Sequence, residues 1–272
     1  MKIGVRAHDF GRQNAAALAE EIKNAGFECV QLAPAKAIFG INSFSDINET
    51  IIQGIREDFA KSDVEITVLG CYIEPSLPDK ESRLANVEIF KNNLGFAKQL
   101  GVGIVGTETT GMDPKTSEAE REKVYQILKD SVQRMVEKAE KENVIIGIEP
   151  VAEHTLNTAQ LTRRLLDEIG SKQLKVIFDP VNLVLPDTIN NQAQIWEDVL
   201  GLIGQDIVAV HVKDIVIENN QKAWRNIGAG AIDYTSIIAW LKTHKPNMRF
   251  LREDVRKDSF ETDRKAIERM IK

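Results

Sequence analysis

The stretch Ile146-Gly147-Ile148-Glu149-Pro150 ends an apolar run on a carboxylate. Two further runs end on a carboxylate, at Ile177-Phe178-Asp179-Pro180 and Phe250-Leu251-Arg252-Glu253, and a fourth, Val210-His211-Val212, carries a histidine near its end. Such Val- and Ile-rich runs are typical of parallel strands that are covered on both faces. Because the carboxyl ends of parallel strands meet at one edge of a sheet, Glu149, Asp179, His211 and Glu253 are predicted to face one common point.

Strand-like and helix-like segments alternate along the whole chain. The predicted strands cover residues 2–6, 28–32, 65–71, 103–106, 144–149, 174–178, 207–212 and 249–251. Eight strand–helix units in 272 residues average about 34 residues each, the size of one βαβ period. The pattern favours an α/β fold, a single (β/α)8 TIM barrel that spans residues 1–272 as one domain.

An open, doubly wound sheet is the competing architecture. Such sheets usually carry a glycine-rich nucleotide-binding turn after the first strand. Here the first predicted strand continues into Arg6-Ala7-His8-Asp9-Phe10-Gly11, which lacks that turn. The barrel is therefore the preferred architecture.

The segments between the strands carry helix signals. Ser117 and Glu120 match a capping box at the start of a helix predicted to continue to about Glu142. Glycines that follow apolar helical patterns are predicted to end helices, at Gly26, Gly101, Gly170 and Gly204.

Composition excludes several classes of protein. The chain carries a net charge of −6 and no block of basic residues, which disfavours a nucleic-acid partner. It shows neither an apolar membrane span nor an N-terminal targeting segment, so we expect a cytoplasmic protein with no membrane partner. The two cysteines, Cys29 and Cys71, lack metal-ligand spacing and are predicted to be small buried residues in a reducing compartment.

The four converging side chains have the chemistry of a metal site. Burying three carboxylates without a counter-ion is costly, which favours a bound cation. Carboxylates with one imidazole suit one divalent metal ion, Mn²⁺ in the first place, with Mg²⁺, Co²⁺ or Zn²⁺ as alternatives. Such a metal would polarise a sugar carbonyl and lower the pKa of the adjacent C–H. Glu149 and Glu253 would then remove and return the proton by way of an enediolate.

Several of these segments resemble the xylose isomerase-like TIM barrel superfamily, in particular its sugar phosphate isomerase/epimerase branch. The similar segments are residues 70–73, 105–109, 148–150, 178–182, 210–214 and 228–234. The resemblance implies that Glu149, Asp179, His211 and Glu253 bind one divalent metal, and that the two glutamates are the acid and the base. It also implies a sugar or sugar phosphate as substrate, and a homodimer or homotetramer.

The chain departs from that branch at two places. Many of the epimerases carry a substrate-contacting histidine where this chain has Asn182, and Glu153 and His154 occupy the loop where a substrate-binding glutamate is expected. The residues that we predict to bind substrate follow the strands on the ligand side or lie in the next loops: His8, Glu108, His154, Asn182, Lys213 and Arg225. Phe10 and Trp224 are interpreted as packing residues that could also line a sugar site.

The leading hypothesis is a divalent-metal-dependent sugar or sugar phosphate isomerase or epimerase. A metal-dependent dehydratase of a polyol or keto-inositol is the alternative, because it would begin with the same proton abstraction and then expel a hydroxyl. A non-catalytic sugar-binding barrel is a third hypothesis. An endonuclease of the related branch is disfavoured, because its metal cluster needs many histidines and this chain has four.

Overall fold

The computed structural model describes residues 1–254, 256 and 258–272. Eight parallel strands form the sheet: β1 (Lys2–Arg6), β2 (Cys29–Leu32), β3 (Glu65–Gly70), β4 (Ile104–Thr107), β5 (Ile145–Ile148), β6 (Leu174–Phe178), β7 (Ile207–Val212) and β10 (Arg249–Arg252). They close into a barrel in the order β1, β10, β7, β6, β5, β4, β3, β2. The predicted (β/α)8 barrel is confirmed, and each predicted strand boundary lies within one residue of the observed one.

Helices surround the barrel. They are α1 (Ala15–Asn24), α2 (Pro34–Ala37), α3 (Glu49–Lys61), α4 (Lys80–Leu100), α5 (Glu118–Glu142), α6 (Ala159–Ile169), α7 (Pro180–Leu183), α8 (Gln192–Leu202), α9 (Thr235–His244) and α10 (Phe260–Ile271). Short 3₁₀ turns cover Ala7–Phe10, Phe44–Asp46, Ile189–Asn191 and Gly204–Asp206. Across the described segments, no helix is both long and apolar enough to cross a lipid bilayer.

The helix ends largely follow the sequence signals. Ser117 and Glu120 form the predicted capping box of α5. Gly101 and Gly170 end α4 and α6 in the left-handed conformation, with φ of +80° and +66°. The prediction at Gly204 was wrong, because α8 ends at Leu202 and Gly204 begins a 3₁₀ turn.

Small residues on two strands make room for one large side chain inside the barrel. A Cβ atom on Gly147 would lie 2.8 Å from Ile177 Cγ1, and one on Gly106 would lie 2.7 Å from Ile177 Cδ1. Ile177 packs there with Cys29, Val68, Ala209 and Leu251. These apolar side chains fill the barrel interior, so the polar groups at the mouth pack against an apolar layer beneath them.

A hairpin that the sequence analysis missed follows β7. Strand β8 (Asp214–Glu218) pairs antiparallel with β9 (Gln221–Arg225). The turn between them places Asn219 and Asn220 at φ of +50° and +59°, as a tight two-residue hairpin turn requires. Lys222 on this hairpin donates from Nζ to the Val181 carbonyl, 2.9 Å away, and so ties the hairpin to the turn that follows β6.

Candidate metal centre and active site

The four predicted ligands all stand at the carboxyl end of the barrel. Glu149, Asp179 and Glu253 directly follow β5, β6 and β10, and His211 is the penultimate residue of β7. Their exposed fractions are 4%, 0%, 4% and 2% in the order Glu149, Asp179, Glu253, His211. The barrel therefore buries three carboxylates and one imidazole at its mouth.

Three of the four side chains meet around one point. The ligand atoms of Glu149, Asp179 and His211 all lie within 4.8 Å of one another. His211 Nδ1 lies 3.0 Å from Glu149 Oε2 and 4.0 Å from Asp179 Oδ2. Glu253 adjoins this group with its Oε1 atom 3.5 Å from the same nitrogen.

The orientation of these atoms fits a cation. His211 Nδ1 and Asp179 Oδ2 are buried. The nitrogen has no partner with hydrogen-bond geometry, and the oxygen already attracts one cation, Lys213 Nζ, 2.8 Å away. One imidazole nitrogen and two carboxylate oxygens are a donor set that suits divalent metals such as Mn²⁺ and Zn²⁺. The residues present thus fit a divalent metal ion held by Glu149, Asp179 and His211.

Buried charge shapes the protonation of this group. Burial by itself would lower the pKa of His211, but the charges of Glu253 and Glu149 outweigh it and raise that pKa to about 9. Burial raises the pKa of Asp179 against the opposing charge of Lys213. The cluster needs positive charge, which His211, Lys213 or a bound metal can provide.

Lys213 acts as a counter-ion inside the cluster. Its Nζ atom lies 2.8 Å from Asp179 Oδ2 and 2.8 Å from Glu253 Oε2, and the residue is 5% exposed. The Trp224 ring centroid, on the hairpin strand β9, lies 6.0 Å from the same nitrogen. Trp224 is 49% exposed, so an open aromatic ring stands beside the charged cluster.

Two further polar side chains reach the cluster from β1 and β2, although the sequence analysis did not single them out. Arg6 lies 3.5 Å from Glu253 Oε2 and also pairs with Asp9 and Asp254. Gln31 lies between His211 and Glu253 and is 3% exposed. Both residues could have been identified from the sequence, because each is a polar residue near the carboxyl end of a buried strand.

Asn182 contacts the group that was predicted to bind metal. Its Nδ2 atom donates to Glu149 Oε1 at 2.6 Å, and its backbone N–H donates to Asp179 Oδ1 at 3.2 Å. Asn182 therefore orients the Glu149 carboxylate by binding its Oε1 atom, and the Oε2 atom is left to face His211.

Glu108 and His154 form a second pair. Glu108 Oε2 lies 3.8 Å from His154 Nδ1. Burial, followed by the charge of Glu149, raises the pKa of Glu108 to about 7. Burial also lowers the pKa of His154, so this pair offers a hydrogen-bonding imidazole beside a carboxyl that titrates near neutrality.

His8 and Arg225 have different surroundings. Burial and the charge of Arg6 lower the pKa of His8 to about 4, so its imidazole is neutral at pH 7. Its ring meets Tyr72 edge-on, with centroids 6.2 Å apart.

Arg225 lies on β9 and binds Glu218 across the hairpin. Its substrate-binding role stays a prediction, since a phosphate would have to compete with Glu218. Phe10 is buried and stacks on Phe260, in agreement with a packing role.

Replacing Glu108 with glutamine is expected to stabilise the metal-free protein at pH 8.5 and to have almost no effect at pH 4. The pKa of Glu108 is about 7 in the folded protein, against an ordinary value of 4.5, so ionised Glu108 opposes folding. This destabilisation develops as the pH rises from 4.5, the ordinary pKa, to about 7, the pKa in the folded protein. The side chain is 37% exposed and solvent screens it, so we expect Tm to rise by about 2 °C.

Thermal unfolding in EDTA at both pH values checks this expectation. Glu153→Gln, in the adjoining loop, serves as the control. If Glu108→Gln changed Tm equally at the two pH values, the stabilisation would not come from removing the ionised Glu108 carboxylate.

Comparison with known proteins agrees with this architecture. The family model described as xylose isomerase-like TIM barrel matches residues 19–270. No curated protein matches the sequence.

Solved structures share the fold at low identity. The 3-keto-D-glucoside 4-epimerase YcjR from E. coli aligns with a TM-score of 0.75 and 18% identity, covering 99% of this chain and 98% of that one. The IOLI protein with a bound zinc atom aligns with a TM-score of 0.78 and 17% identity, covering 100% and 98%. The probable 3-DHS dehydratase AsbF from Bacillus anthracis aligns with a TM-score of 0.74 and 18% identity, covering 98% and 99%. At these identities the likeness shows the shared fold alone.

Proposed function

This chain belongs to the xylose isomerase-like TIM barrel family, and from that premise we propose that it is a divalent-metal-dependent isomerase or epimerase of a sugar or sugar phosphate. The observation that carries the proposal is the buried group of Glu149, Asp179 and His211, with Glu253 alongside it. A fold alone does not give a function, whereas the chemistry of this site points to one.

The proposed cofactor is one divalent ion, with Mn²⁺ preferred and Mg²⁺, Co²⁺ or Zn²⁺ as alternatives. Glu149, Asp179 and His211 would hold it, and Glu253 is the proposed fourth ligand. When bound, such an ion supplies Lewis-acid polarisation of a substrate carbonyl and acidifies the adjacent C–H. The zinc in the IOLI structure supports a divalent metal in a barrel of this shape.

Glu253 is the proposed base. Burial would raise the pKa of its carboxyl, but the charges of His211, Lys213 and Arg6 together hold that pKa below the usual range. The carboxylate is therefore ionised at neutral pH, the form that a proton acceptor must have. Lys213 and Arg6 bind its Oε2 atom and so fix its position. Precise placement of the base is a large part of the rate in such proton transfers.

Glu149 is the proposed partner in proton transfer, because it reaches the same point from β5 while Glu253 comes from β10. Proton removal by one carboxylate and return by the other inverts a stereocentre, as an epimerase requires. Return to the neighbouring carbon would instead give an isomerase. Asn182 steadies the Glu149 carboxylate in either case.

The remaining predicted residues would bind the substrate's oxygens. His8 and His154 are uncharged near neutrality, so they suit hydroxyl groups rather than anions. Glu108 and Asn182 offer further hydrogen bonds, and Lys213 offers a cation next to the reacting carbon. Arg225 would contact a phosphate only by leaving Glu218.

Solvent-deuterium exchange tests this proposal directly. The Mn²⁺-loaded protein is incubated in D₂O with a panel of free and phosphorylated ketoses, and the sugars are analysed by NMR. We expect deuterium at one carbon of at least one sugar, no exchange after metal removal with EDTA, and recovery when Mn²⁺ is restored. Absence of exchange from all panel sugars at saturating metal, with tight sugar binding, would instead favour a non-catalytic sugar-binding barrel.

The dehydratase alternative keeps one supporting observation, which is the similarity to AsbF, described as a probable dehydratase. That reaction would share the proton abstraction by Glu253 and differ in the loss of a hydroxyl. Mass analysis of parallel incubations in H₂O separates the two, because a dehydratase product lacks one water and an epimerase product keeps the substrate's mass.

A further inference from the structure

Gln31 connects three strands at the barrel mouth. It lies on β2, and its amide reaches His211 on β7 and Glu253 after β10. Its Oε1 atom lies 2.8 Å from His211 Nε2, and its Nε2 atom lies 3.3 Å from Glu253 Oε1 and 3.2 Å from the Tyr72 hydroxyl oxygen. The side chain is buried, and its contacts with His211 and Glu253 are shielded from solvent.

The Glu253 carboxylate decides which way the Gln31 amide faces. An ionised carboxylate only accepts hydrogen bonds, so the amide must turn its NH₂ group toward Glu253. The opposite orientation would bring two acceptor oxygens together and leave a buried donor facing His211. The NH₂ group has two hydrogens, and Glu253 and Tyr72 provide an acceptor for each. The carbonyl oxygen of Gln31 is therefore left to face His211.

This orientation fixes the proton of His211. A carbonyl oxygen can only accept, so His211 must carry a hydrogen on Nε2 to bond with it. In the neutral imidazole the lone pair then lies on Nδ1, the atom that faces Glu149 and Asp179. Metal-binding histidines commonly have their other nitrogen held in this way.

We propose that Gln31 is a positioning residue that selects the Nε2–H tautomer of His211 and so presents Nδ1 to the metal. The inference rests on the proposed function, since it presumes a metal at this centre. Glu253 acts on His211 through Gln31, which links the orientation of the proposed base to that of the proposed ligand. Tyr72 completes the network by occupying the second amide hydrogen.

The tautomer itself can be measured in the unmodified protein. Long-range ¹H–¹⁵N NMR of the Zn²⁺-loaded protein distinguishes protonated from metal-bound ring nitrogens. The chain has four histidines, so replacing the other three singly identifies the His211 signals. We expect a hydrogen on Nε2 and zinc on Nδ1. A hydrogen on Nδ1 would overturn the proposal without any change to Gln31.

Two variants of Gln31 test its role. Gln31→Met keeps an unbranched side chain of similar length and removes the hydrogen bonds, so Zn²⁺ affinity is expected to fall by about 10–100-fold. Gln31→Glu keeps an acceptor for the Nε2 hydrogen, so the His211 tautomer signal is expected to persist in it. Thr67→Val removes another buried polar group from the barrel, on β3, and is expected to leave Zn²⁺ affinity unchanged.

The outcomes separate this inference from the proposed function. Wild-type affinity and wild-type His211 shifts in Gln31→Met would overturn the role of Gln31 while the metal centre stands. Failure of the wild-type protein to bind any divalent metal would overturn the proposed function itself. If Gln31→Met does not fold, the wild-type tautomer and the Gln31→Glu spectrum still decide the matter.

Discussion

Replacing Glu253 with glutamine is expected to reduce the rate of solvent-deuterium exchange by about 10²–10⁴-fold at saturating Mn²⁺. Glutamine has nearly the same shape but cannot accept the proton. Glu149, Asp179 and His211 remain as ligands and the glutamine carbonyl oxygen can still coordinate, so the variant is expected to keep a bound metal at saturating Mn²⁺. The measurement is the exchange rate in D₂O, with bound metal quantified in the same samples.

The control for Glu253→Gln is Glu65→Gln. Glu65 is also a glutamate of a barrel strand and also binds two cationic side chains, Lys2 and Arg249, but it begins β3 at the opposite end of the barrel. We expect wild-type exchange in this control. Wild-type exchange in Glu253→Gln itself would rule out Glu253 as the base.

Replacing Asp179 with asparagine is expected to weaken metal binding by more than about 100-fold. Loss of a residue that only hydrogen-bonds to a metal ligand commonly lowers metal affinity about 10–100-fold, and loss of a charged ligand should lower it further. Asparagine keeps the size of the side chain and its Oδ1 atom, which accepts from the Asn182 backbone N–H. It removes the negative charge at Oδ2, the buried atom that pairs with Lys213 and faces His211 Nδ1. Metal affinity should therefore fall while the turn after β6, which depends on the Oδ1 hydrogen bond, keeps its structure.

Calorimetric titration with Mn²⁺ and Zn²⁺ measures this change, and circular dichroism confirms the fold. Asp206→Asn is the matched control, because Asp206, like Asp179, forms an ion pair with a lysine but precedes β7, at the far end of that strand. Equal affinities for wild type and Asp179→Asn would show that the metal binds elsewhere.

The strands of the barrel could be predicted because their signal is local. Each buried parallel strand is a short Val- and Ile-rich run, and each run ends near a glycine, a proline or a polar residue. The positions of Glu149, Asp179, His211 and Glu253 at the mouth followed from the same pattern. Parallel closure brings the ends of β5, β6, β7 and β10 together whatever the intervening helices contain.

The β8–β9 hairpin is absent from the prediction because its sequence signal is weak. Its turn is Asn219-Asn220 rather than the more familiar Asn-Gly, and its strands are only half-buried. The hairpin brings Trp224 to the side of Lys213 and pairs Arg225 with Glu218. The surroundings of both residues therefore depended on an element absent from the prediction.

The sequence by itself determined the barrel and the four polar strand ends, because hydrophobic periodicity and chain order fix which residues come to one edge. Only the tertiary structure decided how these groups are held. Gln31, Arg6 and Lys213 are each more than 30 residues from at least one partner in the chain, as in the contact of Gln31 with Glu253 at a separation of 222 residues. Hydrogen-bond direction and buried charge depend on such distant neighbours, and no local pattern of residues records them.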